Sequence, residues 1–195
     1  MHVIDVRQKC NGYIKYCFPA RLAFTDVLLS LISEITAMPF GPNDANIVKY
    51  SALFLEELSK HALDFVQQHC MRLLVPLLAR PAYQIRNAVL ECVAAICLKS
   101  CRPSTETEDE MEENSPASGV DDKLRNALLE LLLERHHDIS SYTRFRALKK
   151  LAELVEHNAM PVTMLLKVAT VATDRLKDKS SLVRKNSLAV SRRLD

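Results

Sequence analysis

Apolar side chains recur every three to four residues along most of the chain, the spacing of one face of an α-helix. Tyr142, Phe145, Leu148, Leu151, Ala152 and Val155 form one stripe, with Arg144, Lys149, Lys150 and Glu153 largely outside it. Val162, Leu165, Leu166, Ala169, Ala172 and Leu176 form a second, and Leu124, Ala127, Leu128, Leu131 and Leu132 a third. The pattern predicts helices over 20–36, 44–59, 62–79, 83–100, 122–136, 140–157, 161–177 and 181–194. Asp121, Pro161 and the Ser180-Ser181 pair stand at starts, where capping side chains and proline are favoured. Pro76 falls inside the third segment and should kink or break it. No segment alternates with period two, so no strand is expected.

Four of these helices open alike: Ile47-Val-Lys-Tyr-Ser-Ala-Leu53, Gln84-Ile-Arg-Asn-Ala-Val-Leu90, Tyr142-Thr-Arg-Phe-Arg-Ala-Leu148 and Leu182-Val-Arg-Lys-Asn-Ser-Leu188. The intervals are 37, 58 and 40 residues, and the long one contains the polar stretch 102–120, without which it is 39. A period near 40 built from helix pairs is the mark of a HEAT or armadillo array. Asp138 and Asp178 each precede an arginine, Arg144 and Arg184, by six positions, the HEAT arrangement of a turn aspartate followed by Val-Arg in the second helix. These four are read as structural residues of the repeat turns. The aspartate accepts hydrogen bonds from helix N-terminal amides, and the arginine bridges to the aspartate of a neighbouring repeat. Asn43 and Arg80 hold the aspartate position in the first two repeats, which leaves the ladder incomplete there. The expected fold is therefore all-α: a HEAT-repeat α-solenoid of stacked antiparallel helix pairs. The competing architecture is a single helical bundle without repeats. The organisation reads as an N-terminal helical segment (1–40), HEAT repeats (41–101), a disordered acidic loop (102–120) and two further HEAT repeats (121–195), the last truncated.

Arg102 to Val120 contains Glu106, Glu108, Asp109, Glu110, Glu112 and Glu113 with two prolines and a glycine, a composition that cannot bury a core. Thr105 and Thr107 each have an acid three residues on, and Ser115 precedes Pro116, so all three are candidate phosphorylation sites. Phosphate there would deepen a negative charge.

Composition narrows the chemistry. The 195 residues include 48% hydrophobic and 26% charged residues but only 3 glycines, and the phosphate-cradling patterns GxGxxG and GxxxxGK[ST] are both missing. No run of 18 apolar residues occurs, so no membrane span is expected. The six cysteines (10, 17, 70, 92, 97 and 101) have neither zinc-site nor disulfide-framework spacing and read as reduced, partly core, thiols. His136 and His137 are adjacent, about 100° apart on a helix, and suit a helix C-terminus better than a metal. With no nucleophile–base arrangement, the chain is expected to be no enzyme, with no cofactor, no metal and no small-molecule substrate.

Charge is unevenly placed. Net charge is +2, yet residues 139–195 hold 12 Lys or Arg against 5 Asp or Glu. In stacked helix pairs equivalent positions align, so Arg146, Lys149, Lys150, Lys185 and Arg192 are the candidate DNA-proximal face. The competing reading is a solvated helix face. No aromatics interleave with these basics in sequence, so base stacking has no support.

Several of these segments resemble the regulatory, non-SMC HEAT-repeat subunits of condensin. They are Tyr50-Ser-Ala-Leu-Phe-Leu-Glu-Glu-Leu-Ser-Lys60, Leu73-Leu-Val-Pro-Leu-Leu78, Tyr83-Gln-Ile-Arg-Asn-Ala-Val-Leu90 and His137-Asp-Ile-Ser-Ser-Tyr-Thr-Arg-Phe-Arg-Ala-Leu148. Ala159-Met-Pro161 and, above all, Arg175-Leu-Lys-Asp-Lys-Ser-Ser-Leu-Val-Arg-Lys-Asn186 continue it, so that the likeness covers about 48 to 188. Thr143 and Ser187 depart from the family's usual Val and Ala, and 1–40 match nothing. The resemblance implies a non-catalytic scaffold that docks on the kleisin subunit. It would work with the two SMC ATPases, contact DNA or chromatin, and serve mitotic chromosome condensation and segregation. It also implies a nuclear and chromosomal location, cytoplasmic for part of the cell cycle, and no membrane partner. Family members are several times longer, so the chain is expected to be a fragment or truncated product. The alternative is another HEAT adaptor, karyopherin-like, a phosphatase scaffold or cohesin-related.

Overall fold

The computed structural model describes residues 21–39, 44–99 and 122–194, with side chains from Thr25 onward. Asp121, the acidic stretch with Thr105, Thr107 and Ser115, and Cys10, Cys17 and Cys101 lie outside the described residues. Helix α1 spans Arg21–Ala37, α2 Ala45–His61, α3 Leu63–His69, α4 Tyr83–Lys99, α5 Asp122–Glu134, α6 Ser141–Glu156, α7 Val162–Arg175 and α8 Ser181–Leu194. Among the described residues there is no strand, and no helix is long and apolar enough to cross a membrane.

The helices stack as the period implies. α2, α4, α6 and α8, the four that open alike, pack side by side in chain order, while α5 and α7 flank them. One continuous apolar core runs from Leu28 in α1 to Val190 in α8. The fold is an all-α solenoid of HEAT-like helix pairs.

Each helix buries one apolar face, but on α7 that face is Met164, Val168, Val171 and Ala172, whereas Val162, Leu166 and Leu176 of the stripe expected from the sequence are exposed. α2 buries Val48, Ala52, Phe54, Leu55 and Leu58, and α6 buries Ala147, Leu148, Leu151, Ala152 and Leu154. α4 is different: Ile85 through Leu90, then Cys92, Val93, Ala94, Ile96 and Cys97, are all buried. It sits mid-stack, covered by α2, α5, α6 and the residues before it, which is why its sequence is apolar on nearly every side.

Pro76 acts as its chemistry requires. It has no N–H to donate, and its ring crowds the carbonyl four residues back, that of Arg72. The helix therefore widens into a π-turn over Cys70–Leu74 and tightens into a 3-10 turn over Val75–Ala79. Leu77 and Leu78 are still delivered to the core. After α6 the chain reverses through Asn158, whose φ of 52° is the left-handed conformation that asparagine tolerates. There Ala159 N–H reaches back to the carbonyl of Leu154 at 2.8 Å and closes the helix end.

Candidate functional site: the Arg–Asp ladder and the basic helix faces

Three arginines at the starts of α4, α6 and α8 make one repeated contact. Nη1 of each donates to two carbonyls of its own turn: Arg86 to Arg80 (2.6 Å) and Pro81 (2.8 Å), Arg144 to Asp138 (2.8 Å) and Ile139 (3.2 Å), Arg184 to Asp178 (2.8 Å) and Lys179 (3.0 Å). The other edge of the guanidinium forks onto the next repeat. Arg86 Nε and Nη2 meet Asp138 Oδ2 and Oδ1 at 2.9 and 2.8 Å, and Arg144 meets Asp178 at 2.8 and 2.9 Å. Each aspartate Oδ1 also accepts the backbone N–H two residues on, of Ser140 (2.8 Å) and Ser180 (2.9 Å), which anchors the first turn of α6 and of α8.

The ladder thus runs from the arginine of one repeat to the aspartate of the next. Sequence places Asp138 beside Arg144 and Asp178 beside Arg184, but within a repeat the arginine takes only the backbone carbonyl. Arg86 and Asp138 are 52 residues apart, and Arg144 and Asp178 are 34 apart, with the same geometry. The long connection between α4 and α5 therefore leaves the junction unchanged. The hydrogen bond from Arg144 holds the Asp178 carboxyl below its ordinary range, helped by the Ser180 amide and against the effect of burial. The same bond raises Arg144. At the first junction the positions of arginine and aspartate are held by Lys49 and Arg80, and Arg80 instead sends Nη2 to the carbonyl of Met38.

The five candidate DNA-proximal residues separate into two sets. Arg146 Nη1 and Lys150 Nζ both lie 2.5 Å from the carboxylate of Glu91 on α4, and Lys150 also reaches Glu153 at 2.8 Å. Burial pulls the Lys150 amine down, and its bonds to Glu153 and Glu91 outweigh that and leave it raised. Glu56 on α2 borders this network, its carboxyl raised by burial. Lys149 on α6 and Lys185 and Arg192 on α8 are exposed, with no carboxylate partner among the described residues. The cue for the first set was in the sequence: Glu91 is the one acid in the apolar run of α4, and a half-buried acid is normally paired.

The remaining candidates have structural surroundings. His136 lies in a 3-10 turn at the end of α5, its Nδ1 2.5 Å from the carbonyl of Leu133, and burial lowers its pKa. Cys70, Cys92 and Cys97 are buried; Cys92 donates its thiol to the carbonyl of Leu55 (3.2 Å), and burial pushes Cys70 up to about 12. Among the described residues no group of three His, Cys, Asp or Glu is placed to hold a metal. Tyr83 and Tyr142, far apart in sequence, stack with ring centroids 5.0 Å apart at 20°.

No family model matches the chain. Over 115 residues, 59% of its length, it is 34% identical to the condensin-1 complex subunit CAP-D2 of Arabidopsis thaliana. Over 137 residues, 70% of its length, it is 33% identical to condensin complex subunit 1 of Mus musculus. With the Schizosaccharomyces pombe protein of the same name the identity is 28% over 176 residues, 88% of the chain. The matched stretches are 8%, 9% and 14% of those proteins, so the chain spans about a tenth of the relatives it matches. The chain is a homologue of condensin complex subunit 1.

Proposed function

We propose that this chain is a non-catalytic scaffold segment of condensin. It serves mitotic chromosome condensation and segregation by holding kleisin and SMC subunits, and it lies against DNA or chromatin. The observation that carries the reading is the similarity to condensin complex subunit 1, which extends over as much as 88% of the chain. A stack whose helices are locked in register by Arg–Asp forks suits a rigid scaffold. Its place of action is the nucleus and chromosomes, with a cytoplasmic share of the cell cycle. Affinity purification of the tagged native gene product from dividing cells tests the reading. Recovery of an SMC pair with a kleisin is expected. Recovery of transport or phosphatase components would overturn it in favour of another HEAT adaptor.

For DNA the exposed cations are the operative ones. Lys149, Lys185 and Arg192 carry the phosphate contacts, and Arg146 and Lys150 support them from their pairing with Glu91. Each phosphate contact contributes about 0.9 to the slope of log K against log salt. Replacing all three exposed cations by Glu is expected to weaken duplex binding and flatten that slope by up to about three contacts. An unchanged slope would remove DNA from the reading.

A further inference from the structure

The turns that carry the ladder also build an outer edge of the molecule. Asp138 and Asp178 face inward and are neutralised by Arg86 and Arg144. The residues beside them face out. Ile139 is 94% exposed, and Tyr142 is 54% exposed even though its ring stacks on Tyr83. At the matching positions of the next repeat stand Lys179, exposed, and Leu182, 36% exposed. Ile139 keeps its exposure although the next helix pair is stacked against its own, so adding repeats does not cover this edge. The edge is stiff as well: Arg144 clasps the carbonyl of Ile139, and Arg184 that of Lys179.

The charges that stand out at the second of these turns are cationic. Lys177 and Lys179 are exposed with no carboxylate partner among the described residues. Exposed acids stand one turn back on the first helices of the pairs, Asp174 on α7 and Glu134 on α5, the latter 3.7 Å from Arg135. An apolar ledge with a stacked aromatic pair at one end and ammonium groups at the other matches a partner that is apolar and acidic in turn. Stacked helices are spaced by about 8–10 Å, which is about three residues of extended chain. We propose that this turn edge docks an extended peptide, one bulky apolar residue resting on Ile139, Tyr142 and Tyr83 and acidic residues about three positions away meeting Lys177 and Lys179. The proposal goes beyond the condensin reading and does not rest on it, since only the edge itself is invoked.

The test uses the 195-residue chain and a fluorescein-labelled peptide, Ser-Leu-Phe-Ser-Asp-Glu-Asp, read by anisotropy. Two matched peptides replace the acids by Lys or Leu-Phe by Ala-Ala. Saturable, salt-sensitive binding of the first is expected, with both matched peptides at least about tenfold weaker. Ile139→Asp and Tyr142→Ala should each lose about tenfold, and Lys179→Glu several-fold. The circular dichroism and melting temperature of Ile139→Asp should match the parent, because its side chain lies outside the core. Lys60→Glu, in the last turn of α2 and at the end of the helix away from these turns, should bind as the parent does. No saturable binding by the parent, equal binding by Ile139→Asp, or preference for the Lys peptide would overturn the proposal. So would a concentration-dependent dimer, seen by sedimentation, that Ile139→Asp abolishes, for the edge would then belong to a second copy.

Discussion

The α2–α4 junction and the α4–α6 and α6–α8 junctions place equivalent helices side by side, yet they are held by different chemistry. At the first, Lys49 and Arg80 occupy the ladder positions, and the contact rests on apolar packing of Phe54, Leu55 and Leu58 against the almost wholly buried α4. At the later two, a bidentate Arg–Asp fork joins the turns, and α6 and α8 are amphipathic. Where packing is unspecific in angle, a fork with two fixed hydrogen bonds specifies register. The solenoid therefore has a packed N-terminal half and a pinned C-terminal half. A buried ion pair adds little net stability over an apolar pair of the same shape, but losing one partner is costly.

That contrast can be broken most strongly at Asp138. Asp138→Ala leaves the Arg86 guanidinium, 6% exposed, without its carboxylate, and should cost about 3–5 kcal/mol in urea unfolding. The double change Arg86→Met with Asp138→Leu should recover part of the loss, the carbonyls of Arg80 and Pro81 and the Ser140 amide being left without their partners, which separates register from net energy; a double variant as unstable as the single would contradict this account. Leu55→Ala, at the packed junction, should cost about 2–5 kcal/mol, and no second substitution at Lys49 or Arg80 should restore it.

Acid sharpens the comparison. The Asp178 carboxyl is held below its ordinary value of 3.8, so its fork stabilises the fold above that pH and is lost as pH falls through the lowered value. In acid titrations of unfolding free energy, Asp178→Asn should be less stable than the parent at neutral pH and converge on it as pH falls from 3.8 through the lowered value. Glu56 has the opposite sign. Burial raises its carboxyl, so its charge opposes folding at neutral pH, and that penalty disappears as acid protonates it. Glu56→Gln should therefore be somewhat more stable than the parent near pH 7, the gain fading with acid as the parent protonates. The smallest effects belong to exposed ladder positions. Arg184→Ala, which removes bonds to two carbonyls and strands no carboxylate, should cost about 1 kcal/mol in the same urea measurement.

Much of the fold was legible in the order of residues. The spacing of Val48, Ala52 and Leu55, or of Leu148, Leu151 and Ala152, is helical, and apart from 62–79, whose α-helix stops at His69, the helix bounds fall within a few residues of those read from the pattern. The period near 40 located the four second helices. The turn at Pro76 was legible in kind, while its beginning at Cys70 was not, because the ring clash is relieved over the whole preceding turn. The candidate site was less legible. Nothing local tells Asp138 to accept from Arg86 rather than from Arg144, since the choice depends on which turns meet when pairs stack. Arg146 and Lys150 look like Lys149 along the chain, and only the approach of α4 brings Glu91 to two of the three. The stacking of Tyr142 on Tyr83 has the same origin.

By itself, then, the sequence determined the helices, their stacking as repeated pairs and the kinship with condensin complex subunit 1. Those depend on short-range periodicity and on runs of residues, which the chain carries wherever it goes. The tertiary structure alone decided the direction of the ladder, which cations are neutralised and which stay open, and which apolar side chains remain in water. These are properties of surfaces brought together from 34 to 55 residues apart, where distance in space sets the Coulomb and hydrogen-bond energies.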